Sequence, residues 1–328
     1  MEKLRITVFA DPVCTWCWGS VPVLRALEYR LGNSVEIDYV MCGMIEDICS
    51  FVNRRLQIGG DVALSNRNMM KAWMEASVVH GMPVLEHGFH LFSEEYPSTF
   101  PQNMAYVTAK LCCGDGADVA RANRYLRRVQ EATAVEAMLT SRVEVLADLA
   151  AVEGFDPEEF KQTMGSDAAK KAFADDRERA RLFDVREFPT FLLEYSGRES
   201  ILRGYITYNA FVKEILTLGN GAIPARLFKH SSNESENHAP TVKNVKSFVQ
   251  HYKSVYPVEI ATAFALVRRS GRSAVNIESY EQLPDIVDEL LKSGEIGMAP
   301  AGNSFKLFDL KEPANFSRPR EKELHHAW

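Results

Sequence analysis

Residues 4–19 read LRITVFADPVCTWCWG, and the order of the parts in that stretch decides the fold. Leu4–Ala10 is a short run of β-favouring residues, which predicts a strand, and Asp11-Pro12 stops it. Cys14 and Cys17 follow at once. From residue 18 to 31, Val21, Leu24, Leu27 and Leu31 recur at helical spacing, and Gly32-Asn33 closes the helix. Val35–Met41 alternates apolar and polar residues as a second strand does. The opening is strand, helix, strand, a βαβ unit with a right-handed crossover.

Cysteines at this spacing on a helix N-terminus can close a small-ring disulfide. The free backbone N–H groups and the helix dipole there favour thiolate over thiol. Half of a zinc site is the competing reading of such a pair, but a strand before it and a helix after it is the redox context. Cys14 is then expected as the exposed nucleophile, with Cys17, one turn further in, as the sulfur that resolves the mixed disulfide.

Beyond residue 61 the pattern turns almost wholly helical as far as 183, with helices predicted at 66–80, 102–112, 119–130, 135–153, 157–164 and 168–183. Strand signals then return at Thr190–Tyr195 and 200–203 around the turn Ser196-Gly197-Arg198, and a helix is predicted near 208–218. Phe188-Pro189-Thr190 opens the first of these strands. Proline cannot donate to a ladder, so it belongs at a strand start or edge. In a thioredoxin-like arrangement a cis proline at this place faces the cysteines and leaves neighbouring backbone free for an extended substrate; plain strand entry by a trans proline is the alternative.

With these pieces in place, Asp11-Pro12-Val13-Cys14-Thr15-Trp16-Cys17-Trp18-Gly19 resembles the signature of the DsbA family of thiol–disulfide oxidoreductases. It is most similar to the FrnE-like branch of predicted disulfide isomerases. Gly81-Met82-Pro83, residues 99–111 and Phe183-Asp184-Val185 leading into Phe188-Pro189-Thr190-Phe191 extend the likeness over about residues 4–220. The resemblance implies a thioredoxin fold with a helical insertion, Cys14 as nucleophile, Cys17 as resolving thiol and Pro189 as the cis proline. The Thr-Trp dipeptide differs from the Pro-His of the periplasmic oxidants, so strong oxidising power does not carry over. The tail after residue 240 lies outside the likeness.

The expected architecture is therefore α/β. A thioredoxin-like domain (1–60 and 184–224) holds an all-helical insertion (61–183) between its βαβ and ββα halves. A linker (225–240) leads to a small α+β, winged-helix-like module (241–328), with helices predicted over 242–255, 258–269 and 279–292 and short strands near 295–298 and 305–308. Trp16, Phe188, Pro189 and Thr190 are the candidate substrate-binding residues. Trp18 is expected to pack beneath the motif and Pro22 to kink its helix. Asp11 is expected to serve as a loop or cap, with proton transfer to Cys17 as the competing role. Cys42 and Cys49 are read as inert thiols rather than a second redox pair, and Cys112-Cys113 as helix-end packing. His80, His87 and His90 are read as part of a solvated loop over the groove, and His325-His326 as tail.

Composition narrows the function classes. The 328 residues carry a formal net charge of −6, against the basic excess of a nucleic-acid coat. Residues 240–328 hold 12 Lys/Arg against 11 Asp/Glu, so the tail is expected to contact protein or dimerise rather than read DNA. No run approaches the 18 or so apolar residues of a membrane span. Glu2, Lys3 and Arg5 interrupt any leader-like stretch, and six cysteines are too few for a disulfide scaffold, which together predict a cytoplasmic protein. The expected activity is thiol–disulfide exchange on protein substrates, recycled by a thiol system without metal or organic cofactor. The alternatives are a DsbA-like adaptor that presents clients to another machine, and a glutathione-dependent isomerase or transferase. The second cysteine argues against the latter.

Overall fold

The computed structural model describes residues 2–114, 118–228, 239–269 and 271–311. Strand β1 (Leu4–Ala10), helix α1 (Thr15–Leu31) and strand β2 (Val35–Met41) form the βαβ unit, β1 and β2 running parallel from Leu4↔Val35 to Ala10↔Met41. Six helices intervene: α2 (Val62–His80), α3 (Phe100–Cys112), α4 (Val119–Val135), α5 (Val143–Val152), α6 (Pro157–Met164) and α7 (Asp167–Leu182). Strands β3 (Thr190–Tyr195) and β4 (Arg198–Arg203) and helix α8 (Tyr208–Gly219) complete the unit. The sheet order is β2-β1-β3-β4, with β3 antiparallel to both neighbours. This is a thioredoxin-like α/β fold with a helical insertion.

Local chemistry explains these elements. Ser196 and Gly197 both have positive φ (52° and 72°), the conformation that lets a two-residue turn follow the twist of its strands. Asp61, Asp118, Asp156 and Ser166 cap α2, α4, α6 and α7 through their side chains, each accepting a first-turn N–H. In the insertion, Tyr106, Tyr125 and Phe160 are fully buried, and α3 packs against α4, α6 and α7. The same core is continuous with β1 and the inner face of α1.

The C-terminal module comprises α9 (Val242–Tyr252), β5 (Ser254–Val255), α10 (Pro257–Ala263), α11 (Leu283–Lys292), β6 (Ile296–Ala301) and β7 (Ser304–Asp309). Its antiparallel sheet has the order β5-β7-β6, so element order and sheet order together are those of a winged helix. Three details differ from the sequence reading. The helix predicted over 258–269 ends at Ala263, because Ala265 takes a left-handed φ of 52° and reverses the chain. The helix predicted over 279–292 starts at Leu283, since Gln282 (φ 66°) sits just outside it and Pro284 just inside. β5, two residues long, shows no period in the sequence.

Of the predicted linker, Ala225–Phe228 is a 3₁₀ turn with Phe228 buried, and residues 229–238 lie outside the described residues, as do His325 and His326. Helix α11 occupies the place of a recognition helix, yet it turns Asp285, Asp288 and Glu289 to the surface, where a phosphate backbone would be repelled. No helix among the described residues is long and apolar enough to cross a membrane.

The module packs on α1, the helix that carries the cysteines, through α10. Buried ions make the joint. Glu259 of α10 is completely buried and accepts from Arg25 of α1 at 2.8 Å, from Arg127 of α4 at 3.3 Å and from the Tyr256 N–H at 2.8 Å. Glu131 accepts from the Tyr256 hydroxyl at 2.6 Å and from Lys306 of β7 at 3.3 Å. Burial raises the Glu131 carboxyl, but Arg127, Lys306 and Arg128 pull it down to about 2.

Candidate functional site around the cysteine pair

Cys14 is the N-cap of α1. Its backbone is extended, and its sulfur accepts the Cys17 N–H at 3.4 Å, so one unpaired donor of the helix end points at the sulfur. Across the site the Phe188–Pro189 bond is cis, and the Cys14 thiol donates to the Phe188 carbonyl at 3.6 Å. β3 places this loop against the motif, since Phe9↔Thr190 pairing aligns the start of β3 with the end of β1. The Pro189 carbonyl is taken by the Gly204 N–H at 2.8 Å. Thr190 is buried, its hydroxyl donating to the Glu187 carbonyl at 2.8 Å, while Phe188 is half-buried.

Cys14 is not the exposed sulfur expected from the sequence. Only 7% of it is accessible, and Cys17 shows 5%. Both lie within the core shared with β1, with Trp16 and Phe188 packed against that core. Burial, and then the neighbouring Cys14, push the Cys17 thiol well above its ordinary range, so Cys17 is held protonated. All six cysteines are free thiols. Cys42 is buried beside Phe9, Leu192 and Phe188, whereas Cys49 is exposed on the following loop. Cys112 and Cys113 are half-buried at the end of α3.

Asp11, Trp16, Trp18 and His80 organise the motif. Asp11 is fully buried and accepts from the Val13 N–H (2.9 Å), the Met44 N–H (2.6 Å), Asn103 Nδ2 (2.9 Å) and the Thr99 hydroxyl (3.3 Å). It thus ties the motif loop to the loop after β2 and to α3. Burial nevertheless leaves its carboxyl raised from the usual range, with those bonds opposing.

Trp18 is 1% exposed, donates from Nε1 to the Pro83 carbonyl at 2.8 Å, and lies under the Arg127 guanidinium at 4.2 Å. Trp16 is half-buried between His80 and Tyr205, with ring centroids 5.8 and 5.7 Å away. Pro22 lies within α1, which runs through it without a break.

His80 is the main correction. It is not on a solvated loop; it is the last residue of α2, 1% exposed, beneath the motif. Its Nδ1 accepts the Met82 N–H at 3.1 Å, which leaves the Nε2–H to meet the Thr15 hydroxyl at 3.4 Å. Burial lowers it to about 3, so it is neutral at physiological pH. His87 and His90 are exposed. Among the described residues no group of three or more His, Cys, Asp or Glu side chains is placed to hold a metal ion. A groove of about 800 Å³ opens on the insertion between Arg67, Met70, Phe89 and His90, and the motif cysteines do not line it.

A thioredoxin-type sheet, cysteines at the first helix N-terminus and an opposing cis-proline loop define the class. The chain matches the family described as Thioredoxin over residues 7–212, well over half its length, and belongs to that family. Among curated proteins it is similar to the ClpXP adapter protein SpxH of Halalkalibacterium halodurans, 26% identical over 270 residues that cover 81% of this chain and 79% of the other. The ClpXP adapter protein SpxH of Bacillus subtilis is 24% identical over the same shares. Among solved structures, a Nitrosomonas europaea protein provisionally described as a protein disulfide isomerase superposes with a TM-score of 0.54 at 19% identity. It covers 66% of this chain and 97% of that one, a likeness of fold.

Proposed function

We propose that this chain is a protein adapter that presents a client to a ClpXP-type protease in the cytoplasm, its thioredoxin unit serving as a binding body. The observation that carries this reading is the C-terminal module fixed by buried charges to the helix bearing the cysteines. A thioredoxin-like body needs no such addition, since the Nitrosomonas europaea structure is covered almost whole by two thirds of this chain. The alignment to the adapters, at 270 residues, is longer than the thioredoxin segment and takes in sequence beyond it. An adapter needs two faces, one for client and one for protease, and two lobes held as one body supply them.

The test compares protein half-lives across the proteome in cells lacking the chain, with and without ClpXP, and in cells given back the wild type or Cys14→Ser/Cys17→Ser. A set of proteins stabilised by the deletion, and destabilised again by both forms only when ClpXP is present, is the expected result. Unchanged half-lives would overturn the reading.

One observation favours a second reading. Cys14 keeps the N-cap position, with Cys17 a turn away and Pro189 opposite. On this reading the chain is a disulfide isomerase or oxidoreductase of the FrnE-like kind. The Cys14 thiolate attacks a substrate disulfide, giving a mixed disulfide and one substrate thiolate. Cys17 then attacks Cys14, releasing the second substrate thiol and leaving Cys14–Cys17 oxidised until a dithiol partner reduces it. Trp16, Phe188, Pro189 and Thr190 would line the substrate groove. Insulin reduction that vanishes in Cys14→Ser, with rescue of protein turnover by wild type alone, would put this reading first.

A further inference from the structure

We propose that the surface running from Trp16 and Tyr205 to Arg268 and Arg272 is the docking site for an extended, acidic segment of a protein client. The proposal rests on the adapter reading only for the word client; the surface itself is argued from its residues.

Tyr205 stacks on Trp16 at the mouth of the motif. Tyr205 also lies 6.3 Å, ring to ring, from His80, the residue next to Val79, whose carbonyl Arg268 reaches. Arg268 reaches back across the joint between lobes, donating to the Val79 carbonyl at 3.4 Å and to the Arg272 carbonyl at 2.5 Å. Both acceptors are backbone oxygens. The guanidinium is therefore held in place without a carboxylate in ion-pair range, and further donors remain open. Arg269 and Arg272 are exposed beside it, and among the described residues none of the three makes an ion pair. Glu278 and Glu281 are exposed on the facing segment, likewise without an ion pair.

Apolar surface accompanies the charge. Val78 and Val79 at the end of α2 are each 49% exposed, and Val267 is 59% exposed. The Ala274 N–H donates to the Val78 carbonyl at 3.1 Å, so these valines lie at the seam where the C-terminal module meets the insertion. Half-buried aromatics, exposed valines and three arginines against two carboxylates in one strip match a segment that alternates carboxylates with apolar residues. The remaining tail of this chain, residues 312–328, holds three acidic and three basic residues and has no such bias. A net charge of −6 means that unspecific attraction would select basic peptides, so preference for an acidic one reports this strip.

The experiment uses the full chain and two fluorescein-labelled twelve-residue peptides with the same Leu and Phe positions, one carrying Glu and the other Lys between them, read by fluorescence anisotropy. The Glu peptide is expected to bind at least about tenfold more tightly, weakening with added salt. Arg268→Glu/Arg272→Glu should reverse the preference, and Arg272→Glu alone, which disturbs no side-chain bond, should weaken the Glu peptide. Equal binding of both peptides, or a preference that survives the charge reversal, would overturn the proposal. Failure here with client turnover intact would leave the adapter reading standing and move the client elsewhere on the body; binding here without any effect on turnover would do the reverse.

Discussion

Glu259 offers the sharpest test of how the two lobes are joined. Its carboxylate is completely buried and gathers three donors, Arg25 at 2.8 Å, Arg127 at 3.3 Å and the Tyr256 N–H at 2.8 Å. Glu259→Gln keeps the shape and removes the charge. Arg127 then loses its ion pair while its Nε and Nη1 already lack hydrogen-bond partners, and Glu131 with the Trp18 and Tyr256 rings remains to offset it. Removing one partner of a buried pair costs about 3–5 kcal/mol, because the other charge stays behind. That is a large share of a typical total of roughly 5–15 kcal/mol, and for a chain of this length it corresponds to a fall in Tm of roughly 4–7 °C.

Urea unfolding of wild type and variant, followed by far-UV circular dichroism and by tryptophan fluorescence, measures it. The lobes should unfold together in the wild type and separate into two transitions in Glu259→Gln. Glu259→Leu/Arg127→Met should recover only part of the loss, since it removes one charge of each sign but leaves Arg25 with the Ser254 carbonyl in place of its carboxylate. A loss below about 1 kcal/mol in Glu259→Gln with one shared transition would refute the reasoning and mean that apolar packing alone holds the module on.

Three further outcomes follow from single sites. Gly19→Ala places a Cβ 2.4 Å from the His80 ring, so it should destabilise by about 1–3 kcal/mol in urea unfolding, although alanine is the better helix former. His80 is held neutral down to about pH 3 against 6.5 in the unfolded chain, so its contribution is full above pH 6.5 and is lost as pH falls. The stability gap between wild type and His80→Asn should therefore shrink by about 2 kcal/mol from pH 7 to pH 5, and an unchanged gap would show the ring to be solvated. Under native conditions a maleimide should label exposed Cys49 well before Cys42, whose thiol burial pushes up strongly; equal rates would contradict the burial of Cys42.

What the sequence made legible follows from the range of each interaction. The βαβ unit, the caps and the Ser196-Gly197 turn are local, written within a few residues, and the strand–motif–helix order led directly to the thioredoxin fold. The cis Phe188–Pro189 bond and the burial of Trp18 also agree with the reading. The role of His80 was hidden because its neighbours in sequence, Gly81, Pro83 and Gly88, signal a loop, whereas its partner Thr15 lies 65 residues away. Nothing in the local sequence sets Arg25, Arg127 and Glu259 apart from other helix charges, and the docking of α10 on α1 is what takes them out of water. The exposure expected of Cys14 failed for the same reason: the cover comes from Trp16 and the Phe188–Pro189 loop, whose approach no local pattern encodes.

The burial of the cysteine pair bears on which of the two functions a body of this kind can sustain. Exchange needs an attacking thiolate within reach of a substrate sulfur, then a resolving thiolate that attacks in turn. Here Cys14 lies under the Phe188 carbonyl, and burial holds Cys17 as a thiol; in a mixed disulfide Cys14 carries no charge, so burial alone opposes the Cys17 thiolate at the resolving step. To that extent a client held at Cys14 would be released slowly, a handicap in a turnover enzyme. For a body whose task is to retain a client, slow release costs nothing, and noncovalent contacts along the Trp16–Arg268 strip can do the selecting. Lobes that cannot hinge apart without stranding Glu259 and Arg127 suit the same task, because a rigid body fixes the distance between whatever it holds and whatever it delivers to. The buried pair and the interdomain ions thus both suit the proposed adapter, and the half-life comparison with Cys14→Ser/Cys17→Ser is what separates it from the exchange reading.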